Sequence, residues 1–275
     1  MKQPPHHYVH GHSDRELERL DYQAPIFADL FHHDTSYPPE SRVLEVGCGV
    51  GAQTVILAQN SPRAEFVSFD ISTESLVKAQ NSVFRKGLPK VAFCKADVND
   101  LPFKPNTFDY VFVCFLLEHL PDPLFVLKNI RNLLRPGGTI TIIEGDVGSV
   151  IFYPNSPDAN RVIDCFVELQ QQMGGNPFIG RELWHLMIDA GFSDVTISPR
   201  LVYSDQSRRE HVEEVKNIFI AMIDGVGESA ITKGFVDKKT WNKGIRDLHR
   251  ITEQGGMICS TFFKGVGKKG FKNSL

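Results

Sequence analysis

Chemistry in this 275-residue chain gathers first at three glycines on alternate positions, Gly47, Gly49 and Gly51, two residues behind an acid, Glu45. Residues 43–46 read as a short buried strand, and a helical pattern opens at residue 53. Glycines let the backbone turn sharply and approach a ligand closely. The helix start behind them presents free N–H groups and a positive dipole end. The ligand expected there carries a carboxylate or a phosphate. About 20 residues further on, Asp70 ends a second strand-like stretch, where a carboxylate can accept hydrogen bonds from both hydroxyls of a ribose. Asp97 follows a third such stretch. Glu45, an acid inside a buried strand, needs a partner.

A dinucleotide fingerprint reads G-x-G-x-x-G, but here the third glycine comes one residue early and position 52 is Ala. The pattern E-x-G-x-G-x-G resembles motif I of the class I S-adenosylmethionine-dependent methyltransferases. The resemblance extends through Asp70, through Ala96 and Asp97, and through Arg135, Pro136, Gly137 and Gly138 ahead of a fifth strand. It covers roughly residues 40–202. It implies S-adenosylmethionine as cofactor. The glycine loop would hold its methionine part, Asp70 its ribose and Asp97 its adenine amino group, and the expected cofactor-binding residues of the core are Glu45, Gly47, Cys48, Gly49, Asp70, Ile71, Asp97, Val98 and Phe115. Glu118 and His119 resemble an E-H-L element of the family, which makes His119 a candidate general base at the lip of the cleft.

The N-terminus carries a second signal. Ser13 and Glu16 have capping-box spacing, so a helix starts here, with Leu17, Leu20 and Ala24 on its apolar face. Pro25 should kink or restart it. Tyr8, His10, Ser13, Glu16, Arg19 and Leu20 look like the segment that precedes the core in a small-molecule methyltransferase subgroup. That likeness implies a lid, with Tyr8 near the sulfonium and Arg19 at the methionine carboxylate. For the acceptor, open α/β sheets bind ligands outside the carboxyl ends of their strands. Asp146, Phe152 and Tyr153, at the exit of the fifth strand, together with Phe178, are therefore candidate substrate residues.

Around these residues, strand and helix patterns alternate from about residue 43 to 144, which predicts a parallel sheet. The expected fold is α/β: a Rossmann-like, seven-stranded, mostly parallel sheet with helices on both faces and its last strand inserted antiparallel. Residues 1–38 form an N-terminal helical lid and residues 39–275 the methyltransferase domain, with cap segments at about 147–180 and 205–255. Helices are predicted over 210–228 and 238–253, and the fifth strand over 139–144.

With 41% hydrophobic residues the chain can build a sizeable core, and no apolar run approaches the ~20 residues of a membrane span. A net charge of −3 gives no global attraction to nucleic acid. The five cysteines are scattered without a C-x-x-C pair, which predicts neither disulfide framework nor zinc site, and fits a reducing, cytoplasmic setting. The histidines at 6, 7, 10 and 12 lack the further ligands of a metal site, so no metal is expected. The resulting expectation is methyl transfer to a small-molecule acceptor by in-line displacement, in a monomer or homodimer. The rivals are an NAD-dependent oxidoreductase, which the corner and Asp70 would suit, and a non-catalytic methyltransferase fold that binds or regulates.

Overall fold

A computed structural model describes residues 14–271. The chain runs α1 (Asp14–His32), β1 (Arg42–Val46), α2 (Ala52–Asn60), β2 (Glu65–Asp70), α3 (Thr73–Arg85), β3 (Val91–Lys95), β4 (Phe108–Cys114), α4 (Pro123–Leu133), β5 (Leu134–Tyr153), α5 (Pro157–Gln172), α6 (Leu183–Asp189), β6 (Ser193–Asp205), α7 (Arg209–Asp224), α8 (Gly227–Thr232), α9 (Lys238–His249) and β7 (Met257–Lys268). The sheet order is β3-β2-β1-β4-β5-β7-β6. The first five strands are parallel, and β7 lies antiparallel between β5 and β6.

Alternate residues of the central strands feed two separate cores. Val43, Phe66 and Phe112 pack with α1, α5 and α7 on one face. Leu44, Val46, Val111 and Val113 pack with α4 and α6 on the other. A sheet buried on both faces explains why its strands read as unbroken apolar runs. The caps follow the sequence. Ser72 accepts a hydrogen bond from Ser75 N at 3.2 Å and Asp122 one from Phe125 N at 2.9 Å, as expected of N-cap residues.

Three elements differ from the sequence expectation. The helix α1 continues unbroken through Pro25, which is exposed, and does not restart there. Phe27 and Phe31 on its inner face enter the core. A proline inside a helix costs about 3 kcal/mol, and burying two phenylalanines returns roughly 1.5–3 kcal/mol each. The predicted helix over 210–228 breaks after Asp224. Gly227 lies so close to Trp241 that a Cβ there would sit 2.7 Å from the ring, so the chain must turn to let the indole in. The fifth strand runs on to Tyr153, because β7 pairs with it as far as Tyr153↔Met257. The register shifts between Asp146 and Ile151, where Thr261 N donates to Ser149 Oγ at 2.8 Å in place of a ladder bond. Gly145, Gly148 and Ser149 make this stretch look like a loop, and only a partner more than 100 residues away makes it strand.

Behind α1, buried Lys264 on β7 donates to Asp34 Oδ1 at 2.6 Å and to Thr35 Oγ1 at 2.5 Å, and Arg200 on β6 donates to Asp34 Oδ2 at 2.5 Å. These bonds tie the end of α1 to the antiparallel edge of the sheet.

Candidate active site

At the carboxyl ends of β1, β2 and β4 lies a cavity of about 320 Å³, within the usual range for small-molecule sites. The glycine loop forms its floor. Gly47, Gly49 and Gly51 all have φ between 50° and 80°, a region that disfavours any side chain. They differ in what surrounds them. A Cβ on Gly51 would stand 2.8 Å from Ala79 Cβ, so this glycine lets α2 pack on α3. A Cβ on Gly49 would meet nothing within 4 Å. Gly49 therefore borders open space where a ligand can approach the backbone.

Asp70 locks that loop. Its Oδ2 accepts from Gly49 N at 2.9 Å and its Oδ1 from Ser72 N at 2.8 Å. Each carboxylate oxygen has capacity to accept a further hydrogen bond, and Asp70 lines the cavity. Asp97 accepts through Oδ1 from Asn99 N and Asn99 Nδ2, both at 2.9 Å, and also lines the cavity. Cys48, Ile71, Val98 and Phe115 also line the cavity. Burial pushes the Cys48 thiol far above its ordinary range, so it remains a neutral lining group.

Glu45 lies beneath the loop and does not reach the cavity wall. Its Oε2 accepts from Thr54 Oγ1 at 2.5 Å and from Ser68 Oγ at 2.7 Å. Burial, more than any other cause, raises its pKa to about 7. Its neighbours supply the partner that an acid inside a strand requires. Arg19 of α1 does line the cavity, and its Nη1 donates to Gln23 Oε1 at 2.5 Å. Tyr8 and Ser13 lie outside the described residues.

Glu118 and His119 occupy the opposite lip, on a 3-10 turn over Leu117–His119, with Glu118 Oε1 3.5 Å from His119 Nε2. A residue the sequence reading passed over holds this turn. Glu144, fully buried at the end of the β5 core, accepts from Leu116 N at 3.0 Å and Leu117 N at 2.7 Å. Burial first, then the nearby Glu118, pushes its carboxyl well above the ordinary carboxylate range. Phe115, just before the turn, has φ 51°, a costly conformation for a bulky residue. Its ring is held against Phe31 and Phe262, at centroid distances of 5.8 and 5.6 Å.

The expected acceptor residues are not brought together. Asp146 lines the cavity, but its carboxylate is clamped by Arg181 through Nε and Nη2, both at 2.7 Å, and by Gly148 N at 3.0 Å. Phe178 lies under that Arg181 guanidinium at 5.3 Å rather than on the cavity wall. Phe152 packs into the core and Tyr153 is 56% exposed. The extended pairing of β5 with β7 turns Phe152 and Tyr153 to opposite faces of the sheet.

The wall facing the glycine loop is instead built by Phe27, Phe166, Val202, Val215, Ile218, Phe219, Met222, Ile258 and Phe262. The helical periodicity of α7 marks it as a buried element, but nothing local says that the buried face looks into a cavity. Gln53 also lines the cavity. Its Oε1 stands 2.6 Å from Nε2 of His32, a histidine held down to about 4, chiefly by burial.

Comparison with known proteins matches this architecture to a family. A model described as a methyltransferase domain matches residues 39–182, more than half of the chain. An uncharacterised methyltransferase of Schizosaccharomyces pombe is 31% identical over 157 residues, covering 55% of this chain and 56% of that protein. A demethylmenaquinone methyltransferase of Bacillus cytotoxicus is 35% identical over 107 residues, 38% of this chain and 45% of that one. The chain thus spans about half the length of the curated relatives it matches. Among solved structures, phosphoethanolamine N-methyltransferase 2 of Haemonchus contortus, in complex with S-adenosyl-L-methionine, superposes with a TM-score of 0.58 at 16% identity, over 94% of this chain and 58% of that one, which is a likeness of fold. The glycine loop, Asp70 and Asp97 lie within the matched region, and the chain belongs to the methyltransferase-domain family, whose methyl donor is S-adenosylmethionine.

Proposed function

We propose that this chain transfers the methyl group of S-adenosylmethionine to a small-molecule acceptor. One observation carries the reading: a single cavity joins a polar floor of glycine loop, Asp70 and Asp97 to an apolar wall from α5, α7 and β7. The residues present suit the donor. Gly49 leaves room for close approach, Asp70 offers both carboxylate oxygens, and Asp97 keeps Oδ2 for an amino group. In this reading Asp70 receives the ribose hydroxyls, Asp97 the adenine, and Arg19 the methionine carboxylate.

When bound, the donor supplies a methyl group already activated on a sulfonium. The protein's part is to orient two reactants and exclude water. The acceptor's lone pair forms the new bond to the methyl carbon as the carbon–sulfur bond breaks, and the electron pair stays on sulfur. An acceptor that must lose a proton can pass it to His119, which Glu118 faces across 3.5 Å at the cavity lip. The lid role of residues 1–38 and a cytoplasmic monomer or homodimer belong to the same proposal. Among the described residues no helix is long and apolar enough to cross a membrane, and all five cysteines are free.

Calorimetry tests the donor assignment: micromolar or tighter binding of S-adenosylhomocysteine with no measurable binding of NAD is expected. Tight NAD binding without S-adenosylhomocysteine binding overturns it. Transfer of label from donor to an acceptor pool then establishes turnover.

A further inference from the structure

One side of the cavity is built almost entirely of apolar side chains. Its wall is hydrocarbon and ring, with Phe27 from α1, Phe166 from α5, Ile218, Phe219 and Met222 from α7, and Phe262 from β7. Two polar side chains lie among them. Gln23 already accepts from Arg19, and Ser260 on β7 stands opposite Val202 in the β6 pairing. Among the described residues the whole cavity is lined by no lysine and by one arginine, Arg19. Arg19 is assigned above to the donor's carboxylate. Asp146, on β5 opposite Thr261 of β7, is paired with Arg181.

A phosphorylated or carboxylated acceptor would set its charge against hydrocarbon, a costly burial, because Arg19 is assigned to the donor and the one other basic side chain among the described lining residues, His119, sits at the lip against the Glu118 carboxylate. An apolar body gains from the same wall about 25 cal/mol for each Å² it buries. Apart from Phe166, these wall residues lie outside the family-matched stretch 39–182, so this preference belongs to this chain rather than to the shared core. We propose that the acceptor is a neutral, largely apolar molecule whose ring or alkyl body lies between α7 and β7, with a single neutral nucleophilic group turned toward the glycine loop. Ser260 is the polar group placed to orient it. This rests on the methyl-transfer reading above.

The test separates the two. Full-length protein is first titrated with S-adenosylhomocysteine, and failure to bind rejects the methyl-transfer reading itself. With S-adenosylhomocysteine saturating, the neutral fluorophore N-phenyl-1-naphthylamine is titrated in. Saturable one-site enhancement is expected, with displacement by 2-naphthol and none by phosphoethanolamine or glycine. Met222→Glu, which brings a charge to the wall, and Ser260→Phe, which fills the chamber, should each weaken the fluorophore at least tenfold. S-adenosylhomocysteine affinity should stay within twofold, and a cooperative melt checks folding of each variant. Normal S-adenosylhomocysteine binding combined with no fluorophore binding overturns the proposal. So does displacement by phosphoethanolamine or glycine in place of 2-naphthol, a readout of the unmutated protein that does not depend on either variant folding.

Discussion

Asp70 works on both sides of its carboxylate: backward it holds Gly49 N and Ser72 N, and forward it faces the cavity. Hydrogen bonds to a charged group are worth roughly 1.5–3 kcal/mol each. Asp70→Ala, which slackens the loop and removes the two bonds proposed to the ribose, should weaken S-adenosylhomocysteine about a hundredfold or more by calorimetry. Unchanged affinity would show that the ribose lies elsewhere. Glu45 makes a different prediction, about pH. Its folded pKa, about 7, lies above the ordinary 4.5, so the folded state holds its proton more tightly than the unfolded chain does. The resulting stability is fully present below about pH 4.5 and is lost as pH rises through 7. Glu45→Gln keeps an acceptor oxygen for Thr54 and Ser68 and removes the titration. It should melt like the parent near pH 4.5 and be more stable near pH 8, by up to about 3 kcal/mol. His32, held down to about 4, acts in the opposite direction, but it is common to both proteins and cancels in the comparison.

The glycine loop and α1 are the elements on which the site depends, and each can be tested as an element. Gly49→Ala and Gly51→Ala both force alanine into a left-handed conformation, at about 1–2 kcal/mol. Only at Gly51 does the new methyl collide with α3, at 2.8 Å from Ala79 Cβ. Thermal melts should therefore show Gly51→Ala as the less stable of the two. Calorimetry should show Gly49→Ala losing donor affinity with most of its stability intact. Equal melting temperatures would mean that α3 yields to the methyl. In α1, Arg19 and Phe27 both reach the cavity, and Phe27 and Phe31 also pack into the core, so the proposed donor contact lies in the first half of the helix and its core packing in the second. Removing residues 1–20 should leave a cooperative melt and cost at least tenfold in S-adenosylhomocysteine affinity. Full affinity in the folded truncation would make the first half of α1 a surface helix.

At the scale of the whole molecule the cavity is a joint product of distant segments. Its floor comes from segments around residues 47–53, 69–75 and 96–98, and its apolar wall from residues 202–262 together with Phe27 of α1 and Phe166 of α5. The family-matched stretch, 39–182, lacks β6, β7 and α7. Expressed alone it would leave β5 without its antiparallel partner and expose Phe112, Phe166 and the rest of the core that α1 and α7 cover. Differential scanning calorimetry of residues 39–182 should show no cooperative transition, whereas the full chain should show one. A sharp transition in the fragment would make the remaining segments an accessory rather than part of the core.

What could be read without coordinates is what local chemistry dictates. The loop glycines, Asp70, Asp97, the caps at Ser72 and Asp122 and the parallel strands announce themselves because each depends on a turn, a dipole or a short run of neighbours. The glycine loop and the acids beside it, which line one part of the cavity, were legible for that reason. Pro25 inside α1, the break at Gly227 and the length of β5 were not, because Phe27, Trp241 and β7 settle them from far along the chain. Glu45 beneath the loop, Glu144 holding the 3-10 turn and Asp146 closed by Arg181 show the same division. Their residue types mark them as polar and important, but which partner each meets is decided by the fold. The apolar wall of the cavity depends entirely on tertiary structure. An apolar helix face has the same sequence pattern whether it covers a solid core or borders a cavity, and only the distance to the opposite wall separates the two.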